Sequence, residues 1–281
     1  MNKYYVLYNP KACSGNCYEN VKPLSVLLEG DVEFINLLNV KSYERLFNNL
    51  DLNIKIVLAG GDGTLNRFIN EIKNLNVKNQ LYYYPAGTGN DFYKEVNKGG
   101  QELISLDKYV TNLPIVTVKN EKRYFINGVG YGIDGFCCEE GDKLALKGKK
   151  VNYVAIAIKG LLYKYKPTDA VITVDGQRHE FKKVWLAPTM FGKYYGGGMI
   201  PAPNQNRDNQ DKKVSVMVFY GSGKLRTLMI FPKIFKGEHV NSSKYVKVFS
   251  GNNIEVEFLR KTPLQIDGET VKDVSSYKVS I

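Results

Sequence analysis

Two glycine-rich loops carry the residue types that chemistry on a phosphate requires. The first is Leu58-Ala59-Gly60-Gly61-Asp62-Gly63-Thr64-Leu65-Asn66, and the second is Pro85-Ala86-Gly87-Thr88-Gly89-Asn90-Asp91-Phe92. Each follows an apolar or aromatic run with strand character, Ile54 to Leu58 and Leu81 to Tyr84. Glycines let the backbone approach a bulky anion, and free N–H groups cradle phosphate oxygens. An aspartate alone repels phosphate, so Asp62 and Asp91 make sense if a divalent cation lies between carboxylate and phosphate. Two such loops on neighbouring strands point to a site for a nucleotide with Mg2+. Gly60, Gly61, Gly63, Thr64, Leu65 and Asn66 would line the phosphates. Thr88 would offer a hydroxyl, and Asn90 would brace its loop. The plainer use of both aspartates is to cap the helix that follows each loop, and capping can coexist with metal work.

These loops need strands and helices to position them. Residues 1–110 alternate the two: strands at Tyr4 to Tyr8, Val32 to Leu38, Ile54 to Leu58 and Leu81 to Tyr84, with helices predicted over Val21 to Leu28 and from a Ser42 cap to Leu50. Leu65, Phe68, Ile69, Ile72 and Leu75 fall at helical spacing on one face. Repeated strand–helix units imply a parallel sheet with ligands at the C-terminal strand ends. Asn36, closing the second strand, is a candidate for a further nucleotide contact. After about residue 112 hairpin patterns take over: Ile115 to Val118 with Arg123 to Ile126, Val171 to Val174 with His179 to Phe181 across Asp175-Gly176, and Tyr245 to Phe249 with Ile254 to Phe258 around Gly251-Asn252-Asn253. Lys213 to Tyr220 alternates, and Val151 to Tyr165 is helical. The fold class is α/β with two domains: an N-terminal parallel Rossmann-like domain, 1–112, rejoined by about 262–281, and a C-terminal antiparallel β-sandwich domain, 113–261.

Composition bounds the function. The 281 residues are 43% hydrophobic and 24% charged, ordinary for a globular protein. No apolar run approaches the roughly 20 residues a bilayer crossing needs, and the opening residues read as a strand, not a leader. The four cysteines lack disulfide or metal spacing and are expected to be free thiols in a reducing cytoplasm. The net charge of +11 suits an anionic partner, a nucleotide or an anionic membrane surface. Its dispersal, with no recognition motif, argues against nucleic acid. His179 and His239 are too isolated for a triad and read as structural, and Trp185 reads as core. Tyr194-Tyr195, beside Gly196-Gly197-Gly198, read as exposed aromatics on a lipid access path.

The motifs resemble those of the diacylglycerol kinase catalytic-domain family, in its bacterial soluble lipid-kinase branch, over nearly the whole chain. Asn9-Pro10 with Ser14-Gly15, Gly60 to Thr64, Pro85 to Phe92, Asn127-Gly128-Val129-Gly130-Tyr131-Gly132-Ile133-Asp134, Gly196 to Pro201, Asp211 and Asp267-Gly268-Glu269 occur in the family's order. The resemblance implies ATP- and Mg2+-dependent phosphorylation of a lipid hydroxyl, with the nucleotide between the two domains. It implies a cytoplasmic enzyme of phospholipid biosynthesis, peripheral to the inner face of the membrane, and leaves a homodimer open. By resemblance Glu269 is the general base, which need only accept the hydroxyl proton as the P–O bond forms. Asp267 supports it, Asp134 joins the same acidic cluster, and Asn9 faces the adenine or ribose. A structural Mg2+ site would use Asp211 with the carbonyls of Asp208 and Lys213. There are departures: the Asn9–Asn16 loop is one residue longer than the pattern, and Asp211-Lys212-Lys213-Val214-Ser215 lacks the Gly and second Asp of the family's version. An NAD kinase-like enzyme with a soluble substrate shares the first loop. A non-catalytic lipid- or nucleotide-binding protein on the same scaffold is the other rival.

Overall fold

A computed structural model describes residues 2–10 and 16–281. Cys13, Ser14 and Gly15 of the opening motif lie outside the described residues. The chain divides into two units, 1–113 and 114–281.

The first unit runs β1 (Lys3–Tyr8), α1 (Cys17–Val21), α2 (Leu24–Leu27), β2 (Asp31–Asn36), α3 (Tyr43–Asn48), β3 (Ile54–Gly60), α4 (Asp62–Ile72), β4 (Leu81–Pro85), α5 (Asp91–Val96) and β5 (Ile104–Ser105). Its sheet has the order β2-β1-β3-β4-β5, parallel except for the short β5. Central β3 buries every residue but Lys55, as a strand covered on both faces must. Helix α4 buries Leu65, Phe68, Ile69 and Ile72, each stabilising by roughly 1.5–3 kcal/mol. The Phe68 ring meets Tyr43 edge-on at 5.6 Å. Ser42 caps α3, its hydroxyl accepting from Arg45 N at 3.2 Å. The single helix predicted over 21–28 is instead two short ones, because Pro23 interrupts the ladder between α1 and α2. Strand β2 stops at Asn36, whose side chain accepts Leu38 N at 2.9 Å and starts a 3₁₀ turn.

The second unit comprises β6 (Ile115–Val118), β7 (Glu121–Tyr124), β8 (Gly128–Tyr131), α6 (Ile133–Leu146), α7 (Tyr153–Lys159), β9 (Thr168–Val174), β10 (Gln177–Leu186), β11 (Thr189–Met190), β12 (Val214–Tyr220), α8 (Lys224–Ile230), β13 (Val246–Gly251), β14 (Asn253–Ile266) and β15 (Glu269–Ser280). These strands form one ten-stranded antiparallel system, in which β9 pairs with both β10 and β14 and so closes a barrel-like ring. The first two predicted hairpins form, β6–β7 and β9–β10, the latter across Asp175 and Gly176, both at positive φ as a two-residue hairpin turn requires. The third does not. β13 pairs with β12, while β14 pairs with β9, β15 and β8. The Asp175 carboxylate accepts the amides of Asn252 at 3.0 Å and Asn253 at 2.8 Å, which anchors the start of β14 beside the β9–β10 turn. β12 is buried along both faces from Val214 to Phe219 instead of alternating, with Met217 and Phe219 in a core shared with Cys137 of α6, Ala157 of α7 and Ile230 of α8. The closing segment 262–281 adds no strand to the first unit's sheet; it belongs to β14 and β15 of the second.

Helix α6 packs on β14 through Gly135, where a Cβ would sit 1.9 Å from the Pro263 carbonyl oxygen. No rotamer change relieves a backbone clash of that kind. Gly135→Ala is expected to destabilise the protein by about 3 kcal/mol or more. Urea unfolding reads this directly, and a loss below about 1 kcal/mol would contradict the contact.

Candidate functional site

In the first unit the candidate residues gather at the C-terminal edge of the sheet. The parallel register sets Tyr8 opposite both Asn36 and Ala59, and Gly60 opposite Pro85. Asn9, Asn36, the first loop and the second loop therefore leave adjacent strands in a row. The two loops touch: a Cβ on Gly87 would lie 2.3 Å from the Gly61 Cα and 2.9 Å from its nitrogen. The Gly60 carbonyl is held from two directions, by Ala86 N at 3.0 Å and the Tyr83 hydroxyl at 2.8 Å.

Asp62 does not cap its own helix. Its carboxylate reaches across to the other loop, accepting Asp91 N on Oδ2 and Phe92 N on Oδ1, each at 2.9 Å. These are the first amides of α5, so Asp62 supplies the N-terminal charge of that helix from a distance in sequence. Asn90, at φ 51, bonds Gly87 twice, accepting from its N at 3.0 Å and donating to its O at 2.8 Å. It braces the loop as expected. Asp91 is buried, with Lys94 3.8 Å from its carboxylate. Asn9 donates to the Thr64 hydroxyl at 3.3 Å, linking the β1 edge to the first loop. Leu65 and Asn66 are turned inward, Asn66 accepting from Asn70, while Thr88 is exposed.

This donor set fits a phosphate. Helix α4 opens at Gly61 with no side-chain cap, behind a loop whose glycines leave the backbone bare. Asp62 and Asp91 also bring two carboxylates to the loops, the ligand type through which a hydrated Mg2+ is held. Among the described residues, no three His, Cys, Asp or Glu side chains gather as a metal cluster. Asp211 lies exposed beside Lys213, 3.8 Å from its amine, and the Lys213 carbonyl accepts Gln205 Nε2 at 3.0 Å. Asp208 donates its amide to the Asn206 side chain at 3.0 Å.

In the second unit Asp267 and Gly268 form the β14–β15 turn, both at positive φ, with Ile266 opposite Glu269. The buried Asp267 carboxylate accepts three backbone amides, those of Ile126 at 2.6 Å, Asn127 at 2.9 Å and Gly128 at 2.9 Å. It locks the strand entering β8 to the turn that leads to Glu269, which begins β15. A second link runs through Gln265. Its Nε2 donates to Asp134 Oδ2 at 2.9 Å, and its Oε1 accepts Gly268 N at 2.6 Å. Gly130 makes room for it, because a Cβ there would collide with the Asp134 carboxylate. Burial pushes the Asp134 carboxyl up to about 6, only partly offset by the Gln265 hydrogen bond.

Residues 3–115 match the diacylglycerol kinase catalytic domain, and residues 127–279 match the YegS C-terminal NAD kinase beta sandwich-like domain. The chain belongs to the diacylglycerol kinase catalytic-domain family. A diacylglycerol kinase of Bacillus subtilis is 26% identical over 220 residues, 76% of this chain and 70% of that protein. A diacylglycerol kinase of Mycobacterium tuberculosis is 23% identical over 193 residues, 66% of this chain and 61% of its own length. The crystal structure of a diacylglycerol kinase from Bacillus anthracis has the same fold, with a TM-score of 0.60 and 18% identity over 99% of this chain and 94% of that one.

His239 and Trp185 are structural, as expected. His239 Nε2 pairs with the Pro201 carbonyl at 2.8 Å, and Trp185 Nε1 donates to Ser222 O at 3.0 Å. The exposed-tyrosine reading of Tyr194-Tyr195 is corrected. Tyr195 is 2% exposed, because its backbone bridges Met199 in both directions and turns the ring into the core beside Asp134. Two contributors carried no sequence signal. Gln265 sits in an ordinary strand. Arg207 is buried, donating to Asn127 Oδ1 at 3.1 Å with its guanidinium 5.7 Å from the Phe191 ring centre.

Replacing Asp62 tests the cross-loop clamp. Asp62→Ala is expected to cost about 2–4 kcal/mol, the loss of two charge-assisted hydrogen bonds, and Asp62→Asn about half of that. Urea unfolding measures both, and equal, negligible losses would contradict the geometry. Asp134 makes a pH prediction. The folded protein holds a proton on Asp134 that the unfolded chain, with its ordinary value of 3.8, releases between about pH 4 and 6. This contribution to stability therefore falls as pH rises through that window, by up to about 3 kcal/mol, and is constant above it. The difference in unfolding free energy between wild type and Asp134→Asn should trace this fall, and a flat difference would refute it.

Proposed function

We propose that the protein is an ATP- and Mg2+-dependent lipid kinase that transfers the γ-phosphoryl group to a hydroxyl of diacylglycerol or a related lipid. The observation that carries this reading is the pair of interlocked glycine loops. Asp62 holds the second loop to the first at the C-terminal edge of a parallel sheet, where ligands of open parallel sheets are expected. The backbone of Gly60, Gly61 and Gly63 and the opening turn of α4 would receive the phosphates, with Thr64 and Asn9 beside them. Asp62 and Asp91 would hold Mg2+ through its waters. When bound, the metal offsets the charge of the transferring phosphoryl group.

Glu269 would accept the proton of the lipid hydroxyl. Its position at the head of β15 is set by the Asp267 and Gln265 links, so the carboxylate is presented by a rigid turn instead of a loose loop. A general base needs such placement, because a proton must be taken over hydrogen-bond distance. Among the described residues no helix is long and apolar enough to cross a membrane; the lipid would be met at a membrane surface.

Transfer of labelled γ-phosphate from ATP with Mg2+ tests the proposal, using diacylglycerol, monoacylglycerol, sphingosine, ceramide and phosphatidylglycerol in mixed micelles, and NAD in parallel. Label should enter one lipid and fall by about 10²-fold or more in Glu269→Gln, a substitution that keeps the side-chain shape. Label in NAD and in no lipid would overturn the lipid reading.

A further inference from the structure

Helices α6 and α7, the π turn Gly160–Lys164 that follows α7, and α8 pack on one another and share a core with Trp185, Leu186, Met217 and Phe219. The Lys224 amine ties the group by donating to Leu162 O at 2.7 Å. Each helix buries one side in that core, Cys137 on α6, Ala157 on α7 and Thr227 with Ile230 on α8. What is unusual is the opposite side. Helix α7 reads Tyr-Val-Ala-Ile-Ala-Ile-Lys, yet Val154 and Ile158, one turn apart, are exposed, Val154 at 62%. Leu146 ends α6 at 88% exposure, and Tyr163 on the π turn is exposed. Leu225 and Met229, one turn apart on α8, are exposed at 78% and 73%. An ordinary solvent face does not carry so many large apolar tips.

The charge along the segment that carries most of them has one sign. From Lys143 to Lys166 the chain carries seven lysines and no Asp or Glu. Lys143 and Lys164 are tied to Glu140. No ion pair involves Lys147, Lys149, Lys150, Lys159 or Lys166 among the described residues, and all five are exposed. Outward apolar tips within a field of unpaired lysines are what an anionic bilayer interface binds, the tips entering the headgroup boundary and the ammonium groups meeting lipid phosphates. A protein partner or a second copy of the chain would have to supply a matching acidic surface. On helix α6 itself Glu139 and Glu140 are drawn toward Lys143 and Lys164, which leaves Asp142 as its one exposed acidic side chain outside those ion pairs.

We propose that the outer side of α6, α7, the π turn and α8 is the surface by which the protein docks on anionic membranes. It explains how an enzyme of the proposed kind, with no membrane-spanning helix among the described residues, would reach a lipid hydroxyl. The docking does not require ATP, so its test is separate from the kinase reading.

The experiment is flotation of the full chain with phosphatidylglycerol-containing and pure phosphatidylcholine vesicles, without nucleotide, at low salt and at about 0.5 M salt. The expected result is binding to the anionic vesicles only, weakened by salt. It should be reduced about tenfold or more by the triple change Lys147→Glu, Lys149→Glu, Lys150→Glu and by the pair Val154→Asp, Ile158→Asp. All five positions are exposed and lie outside the residues assigned to catalysis, so circular dichroism and phosphorylation of a short-chain, water-soluble diacylglycerol should be unchanged. Binding that survives both sets of changes would overturn the proposed surface. Absence of vesicle binding, or a concentration-dependent self-association in sedimentation that the Val154 and Ile158 changes abolish, would overturn the membrane as the occupant. Failure of the short-chain assay in wild type, with vesicle binding intact, would refute diacylglycerol as the substrate and leave the docking surface standing.

Discussion

Two backbones meet at Gly61 and Gly87, and the organisation of the first unit's site follows from that contact. Atoms so close leave no volume for a Cβ on Gly87. Once the loops touch, the carboxylate of Asp62 is within reach of the first amides of α5, and the Gly60 carbonyl is within reach of Ala86 and Tyr83. The polar groups exposed by bending two strands sharply are thus satisfied by the neighbouring loop. Bare backbone remains on the outer side, where an anion can approach. A Cβ on Gly87 would force the loops apart and strain these hydrogen bonds together, whereas one on Gly61 would meet only the Gly87 Cα, at 3.2 Å.

The second unit solves a similar problem with buried carboxyls. Asp267 sits at positive φ in a hairpin turn and gathers three amides. Three donors of that kind favour a charged acceptor and make burial of the carboxylate affordable in free-energy terms. Asp134 meets the opposite environment, with one amide donor from Gln265 and otherwise burial, and its carboxyl is pushed up to about 6. Two aspartates linked to the same turn therefore sit in different surroundings, Asp267 met by three backbone amides and Asp134 by burial that raises its carboxyl.

Much of this was legible in the sequence. The glycine loops, the strand–helix alternation and the D-G turns each have a local cause, so residues 54–92 and the β9–β10 hairpin could be read from neighbours in the chain. What was not legible depends on distant partners. Asp62 reads as a cap for its own helix because the nearest helix in sequence is α4, while its actual partner is α5, 29 residues away. The third hairpin does not form because β13 pairs with β12 while β14 pairs with β9 and β15, partners far away in the chain. Tyr195 looked exposed beside three glycines, yet its pairing with Met199 turns it inward. Gln265 carries no motif, because an amide bridging a carboxyl and a backbone N–H is chosen by three-dimensional position alone.

The same geometry changes how loss of activity in such a protein should be interpreted. Asp62 and Asp267 are the residues whose types most suggest catalysis, and both are also the acceptors that hold neighbouring backbone in place. Removing either side chain abolishes hydrogen bonds before any chemistry is attempted, so an inactive alanine variant identifies a fold contact as readily as a metal ligand. The distinction lies in the conservative replacements. An asparagine keeps one acceptor and the shape of the side chain while discarding the charge. A structural role then yields partial loss of stability with proportionate loss of activity, whereas a role in holding a cation yields near-complete loss of activity at small cost in stability. Glu269 is different again, since it lies after the turn, and the bonds described for Asp267 and Gln265 are made with the amides of Ile126, Asn127, Gly128 and Gly268 and with Asp134. In Glu269→Gln those bonds remain, so a loss of activity there reads on the carboxylate.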